Sequence, residues 1–256
     1  MRRVAALAAA LGVVLVVAAI ALAQQQNTYT VTASISPSKK GAKAKPVPVG
    51  VKFNYKVDEA TGKQPSAVKN YKISFYGVKS NGGLFKTCSS SKISAAGNND
   101  SGCPAAAKVG SGTIENFVYQ SADPSGAGGF PCSKKLDLWN AGQDKLVIFV
   151  FGDPAQCGGV GALPPIDAKY VSGQGGGQAL TFDVPPTVLH PIAGLTVAVR
   201  SVQSSITKKT IKKKGKTRGY YETVGCKGSK RPVVVTFTPE SGAPATATAN
   251  ATCSKR

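Results

Sequence analysis

The sequence predicts an all-β protein: a single β-sandwich stapled by disulfides, jelly-roll-like in outline, preceded by the helix of a signal peptide. Three observations carry this. Apolar residues recur at every second position over several stretches, most clearly over residues 47–57, which is the period of a half-buried strand. Glycine (29) and proline (16) punctuate those stretches, and runs of helix formers are absent beyond the N-terminus, so short strands joined by turns are favoured. The six cysteines are even in number and all lie beyond the N-terminal leader, as expected of cross-links in an exported chain.

Residues 1–23 read as that leader. Arg2 and Arg3 precede an apolar run over residues 4–20, and Ala21 and Ala23 are the small side chains that a signal peptidase needs before Gln24. A run of about 20 residues also suffices for an uncleaved membrane anchor, which stands as the alternative. Cleavage leaves residues 24–256 as a secreted β domain. Residues 152–165, rich in Gly and Pro, are the candidate internal boundary, and two tandem immunoglobulin-like domains are the alternative architecture.

The elements follow in order. Tyr29, Val31, Ala33 and Ile35 alternate with Thr and Ser in a first strand. A loop carrying Lys39, Lys40, Lys43 and Lys45 among Gly and Pro is expected to be solvated and mobile. Val47, Val49, Val51, Phe53, Tyr55 and Val57 form the clearest strand, with Pro48 marking its start or an edge. Tyr71, Ile73 and Phe75 make a third; a phase slip at Gly77 predicts a bulge, and Asn81-Gly82-Gly83 reads as a hairpin turn. Residues 89–112 are a small, polar excursion in which Pro104 and three alanines start one short helix.

Further strands are expected over residues 114–119 and 135–139. The run LVIFVF over residues 146–151 is the only continuous apolar one after the leader, and it predicts a central strand covered on both faces. Strands over residues 166–171, 179–184, 195–206, 219–225, 233–238 and 245–253 complete the set.

Six cysteines allow about 15 connectivities. Pairing of sequence neighbours is expected: Cys88 with Cys103, Cys132 with Cys157, and Cys226 with Cys253. Each closes a loop of about 15 to 30 residues, worth about 3 kcal/mol in the chain-entropy model. Metal binding is disfavoured, because no Cys-x-x-Cys pair exists and His190 is the only histidine. No metal or cofactor is expected.

Losing the leader with Arg2 and Arg3 lowers the formal charge from +20 to +18. Such an excess attracts polyanions. The densest run is Lys208, Lys209, Lys212, Lys213, Lys214, Lys216 and Arg218, seven cations within residues 208–218, and Lys39, Lys40, Lys43 and Lys45 add to it. These are the candidate polyanion-binding residues. Trp139, Tyr220 and Tyr221 are candidates for stacking on sugars. A hydrolase would need His190 with Asp183 and a serine, but no Gly-x-Ser-x-Gly elbow supplies the nucleophile.

Residues 173–177 are Gly-rich but link two expected strands, which is the wrong setting for a phosphate cradle. Residues 98–102 are oxygen-rich and read as a polar turn. The expectation is a non-enzymatic secreted or cell-surface protein that associates with an anionic wall polymer, polysaccharide or nucleic acid. A carbohydrate-binding or adhesive module is the alternative, and a secreted hydrolase comes third.

Overall fold

The structure is a computed structural model that describes residues 25–254, so the expected leader over residues 1–23 lies outside it. In chain order the first strands are β1 (Asn27–Ser36), β2 (Val47–Glu59), β3 (Val68–Phe75), β4 (Val78–Ser80), β5 (Lys108–Gln120), β6 (Phe130–Gly142) and β7 (Lys145–Phe151). Then come β8 (Ile166–Ser172), β9 (Gln178–Asp183), β10 (Leu195–Ile206), β11 (Thr210–Lys213) and β12 (Lys216–Gly219). The chain ends with β13 (Tyr221–Thr223), β14 (Lys230–Pro239) and β15 (Ala245–Thr252); helices α1 (Ser90–Ala95) and α2 (Pro186–Leu189) are short. No helix among the described residues is long and apolar enough to cross a membrane.

All named strands but β11 and β12 belong to one antiparallel sheet. Its order is β15-β14-β3-β9-β8-β7-β6-β5-β10-β2-β13-β4, with β1 also on β2. The pairing of β7 with β8 carries the sheet across residues 152–165. The sheet folds over into a sandwich-like double layer and then wraps until β1 and β15 lie side by side. Just past their ends, Lys40 N–H donates to the Ser254 carbonyl (3.0 Å) and Ser254 N–H to that of Ser38 (2.9 Å).

Alternation explains the register. β1 runs against β2 from Asn27 opposite Glu59 to Ser36 opposite Gly50, which turns Val31, Ile35, Val51, Phe53, Tyr55 and Val57 together into the core. The apolar run on β7 is covered on both faces, as its composition requires. Leu146, Ile148 and Val150 face the main core, while Val147 and Phe149 pack with Trp139, Ile93 and Ala107 beneath residues 88–107. All three disulfides join sequence neighbours: Cys88–Cys103, Cys132–Cys157 and Cys226–Cys253. Such cross-links belong to an oxidising compartment.

Three local expectations change. The slip at Gly77 is a change of partner: β3 pairs with β9 and β14, and β4 pairs with β13. Asn81-Gly82-Gly83 leads into a single 3₁₀ turn over Gly82–Leu84 and not a hairpin. The expected strand over residues 135–139 is the middle of β6, whose length is masked by Pro131 and by Lys134. Lys134 is buried because its Nζ donates to the carbonyls of Val160 (2.6 Å) and Gly161 (2.9 Å).

The facing layers do not fill the space between them. An apolar cavity of about 150 Å³ remains, lined by side chains of β2, β3, β5 to β10, β13 and α2. Leu146 is 1% exposed and lines it. Leu146→Ala enlarges the void and is expected to lower the unfolding free energy by about 2–5 kcal/mol. A urea titration measures this; a midpoint equal to that of the unaltered protein would show that the layers collapse around the site.

Candidate functional site

The basic run over residues 208–218 folds as a ribbon of its own. β11 and β12 pair only with each other, placing Thr210 opposite Gly219, Lys212 opposite Thr217 and Lys213 opposite Lys216. Lys214 (φ 49°) and Gly215 (φ 71°) make the two-residue turn. Left-handed geometry at both positions matches the twist of a hairpin, and only the glycine adopts it without steric cost.

The structure sorts the seven cations into two groups. At the root, Arg218 forks onto Glu222, Nε to Oε1 at 2.9 Å and Nη2 to Oε2 at 3.1 Å, and Nη2 also donates to Asn81 Oδ1. Lys209 Nζ donates to the carbonyls of Ala106 and Lys108, and burial pulls its ammonium below the usual lysine value. Both therefore serve the fold. At the tip, Lys212, Lys213, Lys214 and Lys216 are exposed, and Lys208, just before β11, is exposed beside the root. Lys213 and Lys216 are directly opposed like charges, a pairing that destabilises a ladder.

The second lysine cluster lies beside the ribbon's root. Lys39, Lys40, Lys43 and Lys45 are all exposed. Their loop is not loose: Ala42 and Lys45 exchange backbone hydrogen bonds of 3.0 Å. A Cβ on Gly41 (φ 64°) would stand 2.1 Å from the Thr223 carbonyl oxygen, so only glycine permits the loop to lie so close to β13. Thr223 Oγ1 in turn donates to the Lys39 carbonyl at 3.1 Å. The ribbon leads directly into β13, which pairs with residues 47–49 of β2. The ribbon thus ends where β13 begins, and the loop of residues 39–45 lies against the far end of that strand at Thr223.

Beneath them lie two buried charges that composition does not reveal. Glu222 is fully buried. Burial pushes its carboxyl upward, but the hydrogen bonds from Arg218, the Gly219 N–H and Asn81, with the Arg218 charge, bring it below its ordinary value. Arg231 is fully buried too, against the Cys226–Cys253 disulfide. Its Nη2 faces the Lys39 carbonyl at 3.4 Å and that of Gly225 at 3.3 Å, while Nε and Nη1 have no hydrogen-bond partner among the described residues.

The aromatic candidates are inside the molecule, contrary to their expected role. Trp139 is 5% exposed, its Nε1 donates to Asp100 Oδ2 at 3.1 Å, and Lys108 Nζ stands over its ring at 5.9 Å. Tyr220 and Tyr221 are 0% and 5% exposed. Their hydroxyls meet that of Tyr170 at 3.3 and 2.8 Å, and Phe85 packs edge-on against Tyr220. Residues 220–224 are all buried because β13 is flanked by β2 and β4 and lies under the loop of residues 39–45. None of the three rings presents a face to a sugar.

His190 caps α2. Its Nε2 meets Glu240 Oε1 at 3.0 Å, and its Nδ1 lies 3.1 Å from the Leu195 carbonyl. Asp183 accepts a hydrogen bond from Asn70 at 2.7 Å, so the carboxylate paired with this histidine is Glu240. Burial disfavours the imidazolium, but the hydrogen bonds to Glu240 and Leu195 outweigh it and raise His190 above its ordinary value.

Opposite pH signatures follow. Glu222 is depressed, so its contribution is present above the unfolded carboxyl value of about 4.3 and is lost as pH falls through the folded value. Glu222→Gln is expected to remove about 1.5–3 kcal/mol at neutral pH, with the gap closing in acid; chemical denaturation at several pH values measures it. His190 is raised, so its contribution is complete below about pH 6.5 and is lost as pH rises through the folded value. The Tm deficit of His190→Gln should accordingly shrink from about pH 6 to about pH 8, and a pH-independent deficit would mean that only packing is lost.

No family model, no curated protein and no solved structure matches this chain.

Proposed function

We propose that this is a non-enzymatic, exported β-sandwich protein that associates with anionic envelope or extracellular polymers through the tip of the β11–β12 ribbon and the adjoining loop of residues 39–45. The observation that carries the reading is the sorting of the cations. Arg218 and Lys209 are engaged at the root, whereas four exposed lysines stand together on a ribbon with nothing else paired to it and exposed Lys208 leads into it. Like charges held opposite one another, Lys213 against Lys216, repel; a polyanion lying along the ribbon relieves that repulsion while gaining the attraction of each ammonium. Lysines suit such a partner, since a compact, mobile charge follows a polymer of uneven charge spacing, where the fork of arginine favours a fixed bidentate geometry. The disulfides agree with export, and the leader-like residues 1–23 provide a route for it.

Retention on heparin and on duplex DNA across a salt series tests this, with neutral dextran as control. Replacement of Lys208, Lys212, Lys213, Lys214 and Lys216 by Gln is expected to abolish most salt-sensitive retention without lowering Tm. On DNA the slope of log K against log salt should become shallower by roughly 0.9 for each phosphate that is no longer neutralised. Equal retention of both proteins would overturn the proposal. Lys209 and Arg218 are left unaltered because their loss would disturb the fold.

A further inference from the structure

We propose that the space between the two layers of the sheet is a binding site for a small, uncharged hydrocarbon of about the size of a benzene ring. Its volume, about 150 Å³, is that of cavities known to take up benzene or xenon. The wall is built from nine strands of the sandwich, including the inward positions Phe53, Tyr71, Ile148, Leu180, Phe182 and Val202. Aromatic edges and faces are thus available to a ring on several sides.

The chemistry of the wall selects the ligand class. The few polar groups along it are mostly bonded. Asn116 donates to the Cys132 carbonyl at 3.2 Å, and Ser204 Oγ to that of Phe53 at 2.9 Å. The Tyr55 and Tyr71 hydroxyls bond to each other at 3.2 Å, and that of Tyr221 is bonded to Tyr170. Water entering the space would find few free partners, the Tyr71 O–H and Asn116 Oδ1 among them, where it needs two to four. A carboxylate or a hydroxyl would lose its hydration without replacement. A hydrocarbon loses nothing, and it regains the dispersion contacts that the facing side chains now lack.

The site uses none of the exposed lysines, so it stands or falls separately from the surface reading. It also accounts for a feature that patterning alone does not: large residues face inward on all these strands and several touch, yet together they leave this space unfilled. The short connection from β9 to β10 adds Val188 and Leu189 of α2 to the wall, and the bonds of His190 to Glu240 and Leu195 hold that helix in place.

Benzene titrated into the purified full-length protein in sealed tubes tests the proposal, with the methyl groups of Ile, Leu and Val followed by NMR. Saturable shifts confined to Leu146, Ile148, Val150, Leu180 and their neighbours are expected, together with a Tm that rises and levels off. Xenon should compete, and hexanoate should leave the same methyl groups unmoved. Shifts that never saturate, shifts confined to the surface, or equal binding of hexanoate would overturn it. Ile148→Phe, which occupies the space, is expected to weaken benzene binding by roughly tenfold or more. Should that variant fail to fold, xenon competition in the unaltered protein decides, and its absence overturns the assignment.

Discussion

Backbone hydrogen bonds along β2 reach three other strands, and the remaining architecture is arranged around that ladder. Residues 50–59 pair with β1, residues 51–56 with β10, and residues 47–49 with β13. One strand therefore joins the N-terminal segment, the middle of the sheet and the root of the lysine ribbon. Its inward column, Val49, Val51, Phe53, Tyr55 and Val57, is buried throughout. Phe53 and Tyr55 contact Phe75, Tyr71 and Phe237, so the same side chains that fix the register also tie the two layers together.

The surface inherits its character from what lies below it. A run of seven cations is electrostatically unfavourable wherever it is placed, and the fold handles it by dividing the labour. Root cations find a buried carboxylate or main-chain carbonyls, which lets the segment descend into the core at β13. Tip cations are held outward on a turn whose geometry keeps the two strands in register. Glu222 is the hinge of this arrangement: buried without Arg218, it would be an uncompensated charge, which proteins seldom tolerate.

Much of this was legible in the residues. Period-two alternation located β1 and β2; the run LVIFVF announced a strand covered on both faces; and sequence-neighbour pairing of the cysteines is what the structure contains. What escaped depends on partners far away in the chain. Arg218 and Lys209 look like their neighbours in composition; the burial of Glu222 with Asn81 sets Arg218 apart, and the carbonyls of Ala106 and Lys108 set Lys209 apart. Tyr220 and Tyr221 are adjacent yet both buried, because β2, β4 and the loop of residues 39–45 enclose that segment. β4 and β13 are three residues long, too short for any periodicity to register. The cavity depends on the summed volumes of side chains from many strands, a quantity that no local pattern encodes.

The meeting of β1 with β15 fixes when the fold can be completed. Residues 38–40, among the first of the described chain to be synthesised, bond to Ser254, among the last; the β10 partner of β2 likewise arrives only after more than half of the chain. A chain delivered N-terminus first can close the β1–β2 hairpin early, but the other edge of β2 stays open until β10 and β13 arrive. Non-local pairing of this kind is slow and exposes strand edges to other chains. The lysines beside β2 place positive charge next to that open edge, and like charge on two copies opposes edge-to-edge pairing.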